Sequence, residues 1–109
     1  MKGEVLATPR LDVLEGPNDF VIVFEVPDVP RNAVSLGVVA GRLELDAVQS
    51  LGEREAKCFV PRRFRASVSL PESTDFGAVD ASLDAGLLRV RVAKSERGRT
   101  RQIPISAAS

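Results

Sequence analysis

The sequence predicts an all-β fold, an immunoglobulin-like antiparallel β-sandwich. Apolar residues recur with a period of two along most of the chain, the pattern of strands with one buried face. Turn-forming residues separate these runs at short, regular intervals, as a sandwich of short strands requires. No stretch carries a convincing helical period. Residues 32–39 can be forced onto a helix, but their β-branched side chains and Gly37 argue against it.

Taken in order, Phe20, Ile22, Phe24 and Val26 fall on one face of a strand, with Val21, Val23 and Glu25 opposite. Val34, Leu36 and Val38 alternate with Ser35, Gly37 and Val39, and Leu43 and Leu45 alternate with Glu44 and Asp46. Phe64, Ala66, Val68 and Leu70 alternate with Arg63, Arg65, Ser67 and Ser69. Val79, Ala81 and Leu83 alternate with Asp80, Ser82 and Asp84, and Leu88, Val90 and Val92 with Arg89 and Arg91. Turns are expected at Gly16-Pro17-Asn18, Pro27-Asp28-Val29-Pro30, Ala40-Gly41, residues 71–77 and Asp84-Ala85-Gly86, all built from residues that suit tight or positive-φ geometry. Residues 49–61 read as a polar loop with a short run, Cys58-Phe59-Val60, near its end. Residues 95–102, polar and charged around Gly98, read as a hinge before Ile103-Pro104-Ile105.

Length and composition bound the rest. The chain has 109 residues, 15 Lys+Arg against 15 Asp+Glu, no His, no Trp, no Tyr and 1 Cys. That is one domain, burying roughly two thirds of its unfolded surface around a thin core. No apolar run approaches the roughly 18 residues that span a bilayer, and the opening residues lack the apolar stretch of a signal peptide. One Cys forms no internal disulfide, which suits a reducing, cytoplasmic setting. Without His there is no Ser-His-Asp or Cys-His pair and no imidazole metal ligand. Balanced charge without Tyr or Trp argues against nucleic-acid binding. The chain is expected to be no enzyme, with no metal, no cofactor and no membrane partner. Asp80 and Asp84 read as solvated groups on the outer face of a strand rather than as an acid pair.

The C-terminal third carries Ala81-Ser82-Leu83-Asp84-Ala85-Gly86-Leu87-Leu88, an alternating strand, then Ala93-Lys94, with Ile103-Pro104-Ile105 beyond the hinge. Upstream stand Pro9-Arg10-Leu11-Asp12-Val13, a strand closed by Pro27, and Ser69-Leu70-Pro71. This series resembles the α-crystallin domain of the small heat-shock proteins: Ala, spacer, Gly-x-Leu, strand, Pro-Lys, then an Ile-x-Ile tail. The chain departs from that pattern at three places. Asp28 stands where the family usually has Gly after Pro, Ala93 replaces the Pro of Pro-Lys, and Ala66 occupies the place of an Arg often found at the dimer interface. The resemblance divides the chain into a short N-terminal arm (1–8), the domain (9–94) and a C-terminal extension (95–109).

The resemblance implies an ATP-independent holdase chaperone that binds partly unfolded proteins; the alternative is a module like the CS domain of co-chaperones, which binds folded partners. It implies a homodimer that assembles further through the tail. Ile103 and Ile105 lie on one side of an extended segment, and Pro104 suits an edge rather than a central strand. The resemblance makes these three a tail anchor, docking in a groove of Val34, Leu36 and Val38 against Val79, Ala81 and Leu83 that also serves clients. It further implies a dimer edge at Arg10, Leu11, Asp12 and Val13, paired with the Cys58, Phe59 and Val60 run of a second copy. Cys58 itself is expected to be a buried small apolar residue rather than a redox switch. The small arm leads us to expect weaker large-scale assembly than in long-armed relatives.

Overall fold

The computed structural model describes residues 3–95; the tail anchor Ile103, Pro104 and Ile105 lies outside the described residues. Two four-stranded sheets face each other. One runs in the order β1 (Val5–Ala7), β6 (Arg62–Ser69), β5 (Arg42–Val48), β4 (Val34–Val39); the other runs β2 (Leu11–Glu15), β3 (Asp19–Glu25), β8 (Leu87–Lys94), β7 (Thr74–Asp84). Every pairing is antiparallel except β1 against β6. The period of two carries directly into burial. Phe20, Ile22, Phe24 and Val26 meet Leu43, Leu45, Ala47 and Phe64 across the sandwich, with Leu88, Val90 and Val92 alongside.

Two hairpins turn on an Ala-Gly pair. Ala40 and Gly41 have φ of 50° and 75°, and Ala85 and Gly86 have φ of 49° and 78°. Both central residues with positive φ form the turn whose twist matches paired strands. Gly86 is required by its backbone, φ 78°, while a Cβ there would make only ordinary contact with the Pro27 Cα at 3.4 Å. Asp28 also has a left-handed backbone, φ 59°, which explains why a Gly is the residue usually expected at that place; Asp tolerates it better than most side chains.

The structure corrects the sequence reading at several points. Residues 53–56 form one turn of α-helix and Arg31–Ala33 a 3-10 turn, neither of which has a hydrophobic period to betray it. Glu53 and Glu55 in the first helical turn suit the positive end of the helix. Cys58 is exposed, not buried, because it sits on the turn after that helix, where its N–H donates to the Glu55 carbonyl and its side chain faces outward. Strand β1 arises within the segment taken as the arm. Strand β7 begins at Thr74, inside the expected turn, and its register with β8 shifts between Thr74 and Val79. Asp75 accepts a hydrogen bond from the Gly77 N–H at 3.0 Å there, a local contact that competes with the ladder.

The outer faces are held by ion pairs. Arg63 grips Asp46 with two hydrogen bonds, Nε to Oδ1 at 2.8 Å and NH2 to Oδ2 at 2.6 Å, and reaches Glu4 at 3.2 Å. The place of the interface Arg is filled by Ala66, which points inward opposite Leu45; Arg63 and Arg65 point outward on the alternate positions, toward Asp46. The Arg63 hydrogen bonds hold the Asp46 carboxyl below its ordinary value of 3.8, against the opposing effect of partial burial. A folded value below the unfolded one means stabilisation that is present above the unfolded value and lost as pH falls through the folded one. Asp46→Asn should therefore be less stable than the parent at neutral pH, and its denaturant midpoint should fall less steeply between neutral pH and about pH 3. Equal slopes would show that this carboxylate contributes nothing to acid unfolding.

Candidate functional site

Strands β4 and β7 end their respective sheets on the same side of the sandwich. An edge strand has only one neighbour to cover its inward side chains. Val34, Leu36, Val79 and Leu83 are therefore half-buried, packed against the core from outside. Between the two edges opens a groove of about 420 Å3, lined by Val34, Leu36, Ala81, Leu83 and Leu88, with Arg31 and Ser82 at its rim. Four of the six groove residues expected from sequence thus meet. Val38 and Val79 do not line it: Val38 lies further along β4 and is 37% exposed, and Val79 lies at the register shift.

Leu88 was missed from the groove because its place in the strand pattern reads as plain core. It is 3% exposed and forms the groove floor, positioned by Gly86. Arg31 was missed because it stands on the 3-10 turn rather than on a strand. The groove contains no paired acid and base. Among the described residues no group of His, Cys, Asp or Glu could hold a metal ion. An apolar floor between two strand edges can bind extended apolar chain segments, by side-chain burial and by hydrogen bonds to the free edges.

A second apolar surface lies on the opposite edge. Leu11 is 38%, Val13 50% and Leu14 60% exposed on β2, and Phe59 is 65% and Val60 44% exposed in the loop. Asp12 pairs with Val23, and Arg10 precedes the strand, its carbonyl accepting the Glu25 N–H at 2.9 Å. Within the chain β2 has β3 as its ladder neighbour and ends its sheet. Cys58, Phe59 and Val60 belong to no strand and instead line a cavity of about 580 Å3 with Val5, Leu51 and Arg62. The loop is pinned at both roots: the Gln49 N–H donates to the Arg62 carbonyl, and the Arg62 N–H donates to Gln49 Oε1, each at 2.9 Å. At the end of β8, the side chain of Lys94 is 7% exposed and its Nζ donates to Glu15 on β2 at 2.8 Å.

This geometry has counterparts. The family model described as Hsp20/alpha crystallin matches residues 12–106. Small heat shock protein C4 of Rickettsia felis is 26% identical over 107 residues, covering 93% of this chain and 66% of that protein. Small heat shock protein C2 of the same organism is 24% identical, covering 89% and 67%. The chain therefore spans about two thirds of the length of these relatives. Among solved structures, heat shock protein 16.0 from Schizosaccharomyces pombe superposes with a TM-score of 0.72 at 25% identity, covering 95% of this chain and 78% of that one. A small heat-shock protein from Xylella fastidiosa superposes at 0.73 and 22%, covering 92% and 97%, a likeness of fold. The family match takes in seven of the eight strands described, from β2 onward, together with the Gly86 turn and both walls of the groove. The chain belongs to the Hsp20/alpha crystallin family.

Proposed function

We propose that the protein is an ATP-independent holdase chaperone that covers apolar, extended segments of partly unfolded proteins before they aggregate. The observation that carries this reading is the open apolar groove between the β4 and β7 edges, lined by Val34, Leu36, Ala81 and Leu83. Unfolding proteins expose apolar surface and strand edges, and both drive their aggregation. A site that buries one and caps the other needs no nucleotide, because binding of the unfolded species follows mass action. Family membership supports a chaperone role. Light scattering of a heat-stressed client with and without the protein, in the absence of ATP, tests the reading; undiminished aggregation at equimolar protein would refute it.

In this reading the protein acts in the cytoplasm as a homodimer. The exposed Leu11 and Val13 of β2, flanked by Arg10 and Asp12, pair with the Cys58, Phe59 and Val60 run of a second copy; covering those apolar side chains supports this choice of edge. Ile103 and Ile105, around Pro104, anchor in the groove of a neighbouring dimer. Full burial of each is worth roughly 1.5–3 kcal/mol before ordering costs, so the contact is reversible and competes with clients. Changing Ile103 and Ile105 together to Gly should leave the circular dichroism spectrum and the dimer intact and remove assembly beyond the dimer in native mass spectrometry. Unfolding of this variant would place the tail in its own domain's core.

A further inference from the structure

Strand β1 is a lightly held seam of the sandwich. It has three residues, leaves Val5 51% and Leu6 66% exposed, and pairs in parallel with Arg62, Arg63 and Phe64 of β6. Parallel ladders are slightly weaker per residue than antiparallel ones. Two specific contacts hold its start. The Val5 N–H donates to the Pro61 carbonyl at 3.0 Å, and Glu4 Oε2 accepts a hydrogen bond from Arg63 at 3.2 Å. Arg63 is independently fixed by its two hydrogen bonds to Asp46, so its guanidinium stays aimed whether or not Glu4 is present. The Arg62–Phe64 backbone beneath β1 is likewise held in place by its ladder with β5. Glu4-Val5-Leu6-Ala7 therefore lies on a preformed edge as a short ligand would: an acid for Arg63, then three apolar residues, with Ala7 packed on the core.

We propose that β1 is a built-in, displaceable occupant of the β6 edge, and that this edge accepts in its place an extended segment of the same chemistry from an unfolded protein. That segment carries an acidic residue followed by about three apolar residues and runs parallel to β6 as β1 does, adding a strand to the sheet edge. The fixed Arg63 guanidinium complements the acid of any extended, acid-led apolar segment, so the edge is open to a segment of a foreign chain; exchange of β1 with a second copy is the competing outcome of the test. The inference rests on the reading of the chain as a binder of unfolded segments, and it adds a second docking edge with its own acidic preference.

The test is fluorescence anisotropy of a labelled peptide with the sequence of residues 3–9, added to the full chain and to Val5→Pro, which lacks the donor to Pro61. Loss of one net hydrogen bond corresponds to about a fivefold change in an equilibrium constant, so Val5→Pro should bind the peptide about fivefold more tightly than the parent. Replacing the peptide's Glu by Gln should weaken binding at low salt, and peptide binding should shift the amide signals of Arg62, Arg63 and Phe64. If Val5→Pro does not fold, Glu4→Gln in the full chain replaces it and should tighten binding about two- to threefold. Equal affinity for parent and variant, or shifts confined to the β4 and β7 groove, would overturn the proposal. So would an assembly of Val5→Pro larger than that of the parent under the same conditions that also excludes the peptide, the mark of β1 exchange between copies. A chain that takes up the peptide by displacing β1 but does not protect a heated client would refute the holdase reading and leave the edge assignment standing.

Discussion

Gly86→Val will lower the unfolding free energy by about 1–3 kcal/mol, the cost of holding a β-branched residue in a left-handed backbone. Gly86 has φ of 78°, and a Cβ would lie 3.4 Å from the Pro27 Cα. The Gly86 carbonyl also accepts the Val26 N–H at 2.8 Å, so the turn cannot relax its backbone to another conformation without straining that bond. A loss of this size is a large share of the roughly 5–15 kcal/mol that holds a domain together. Ala85 is the control. Its φ of 49° is strained for Ala, and Ala85→Asn or Ala85→Gly should raise stability by about 0.5–1 kcal/mol, since both suit the first place of this turn. Urea unfolding of the variants measures both. A neutral Gly86→Val would mean that the Gly-x-Leu motif is not conformational in origin.

Ala81→Lys combined with Leu36→Gln will reduce holding of a heated client about tenfold per mole, the equivalent of about 1.4 kcal/mol of lost apolar contact. The pair is chosen for its place on opposite walls of the groove. Ala81 is exposed and Leu36 only half-buried, so the fully buried core of Phe24, Ile22, Leu43 and Val90 is untouched. Lys on an edge strand is well tolerated and disfavours strand addition. Circular dichroism should be unchanged, and light scattering should report the loss. Full holding by a folded double variant would move client binding away from the groove, leaving the β2 surface and the β6 edge as the remaining candidates.

The sequence and the structure agree most closely where burial and backbone pattern are the same thing. Phe20 to Val26 and Leu88 to Val92 alternate in sequence and alternate in burial, because a strand shows its two faces to two different media. Agreement is weaker at the edges. Val38 continues the apolar alternation of β4 yet lies outside the groove, since periodicity names a face of a strand and says nothing of how far along it the opposite sheet extends. Cys58 departs from expectation for a related reason: an apolar residue beside Phe59 suggests burial, but this loop has no sheet above it, and Cys58, Phe59 and Val60 are all exposed.

The sequence by itself determined the sandwich, its six main strands, the two Ala-Gly hairpins and the apolar residues from which both candidate surfaces are made. It could do so because period-two burial and positive-φ turns are local properties, each legible within a few residues. The tertiary structure alone decided that β1 lies in parallel on β6, that Arg63 is shared between Asp46 and Glu4, that Leu88 joins the groove, and that Val38 and Val79 stay out of it. The contacts join residues well apart in the chain, 17 positions for Arg63 and Asp46 and 59 for Arg63 and Glu4. Which of them meet depends on the order in which strands enter two sheets, and no local pattern in the chain encodes that order.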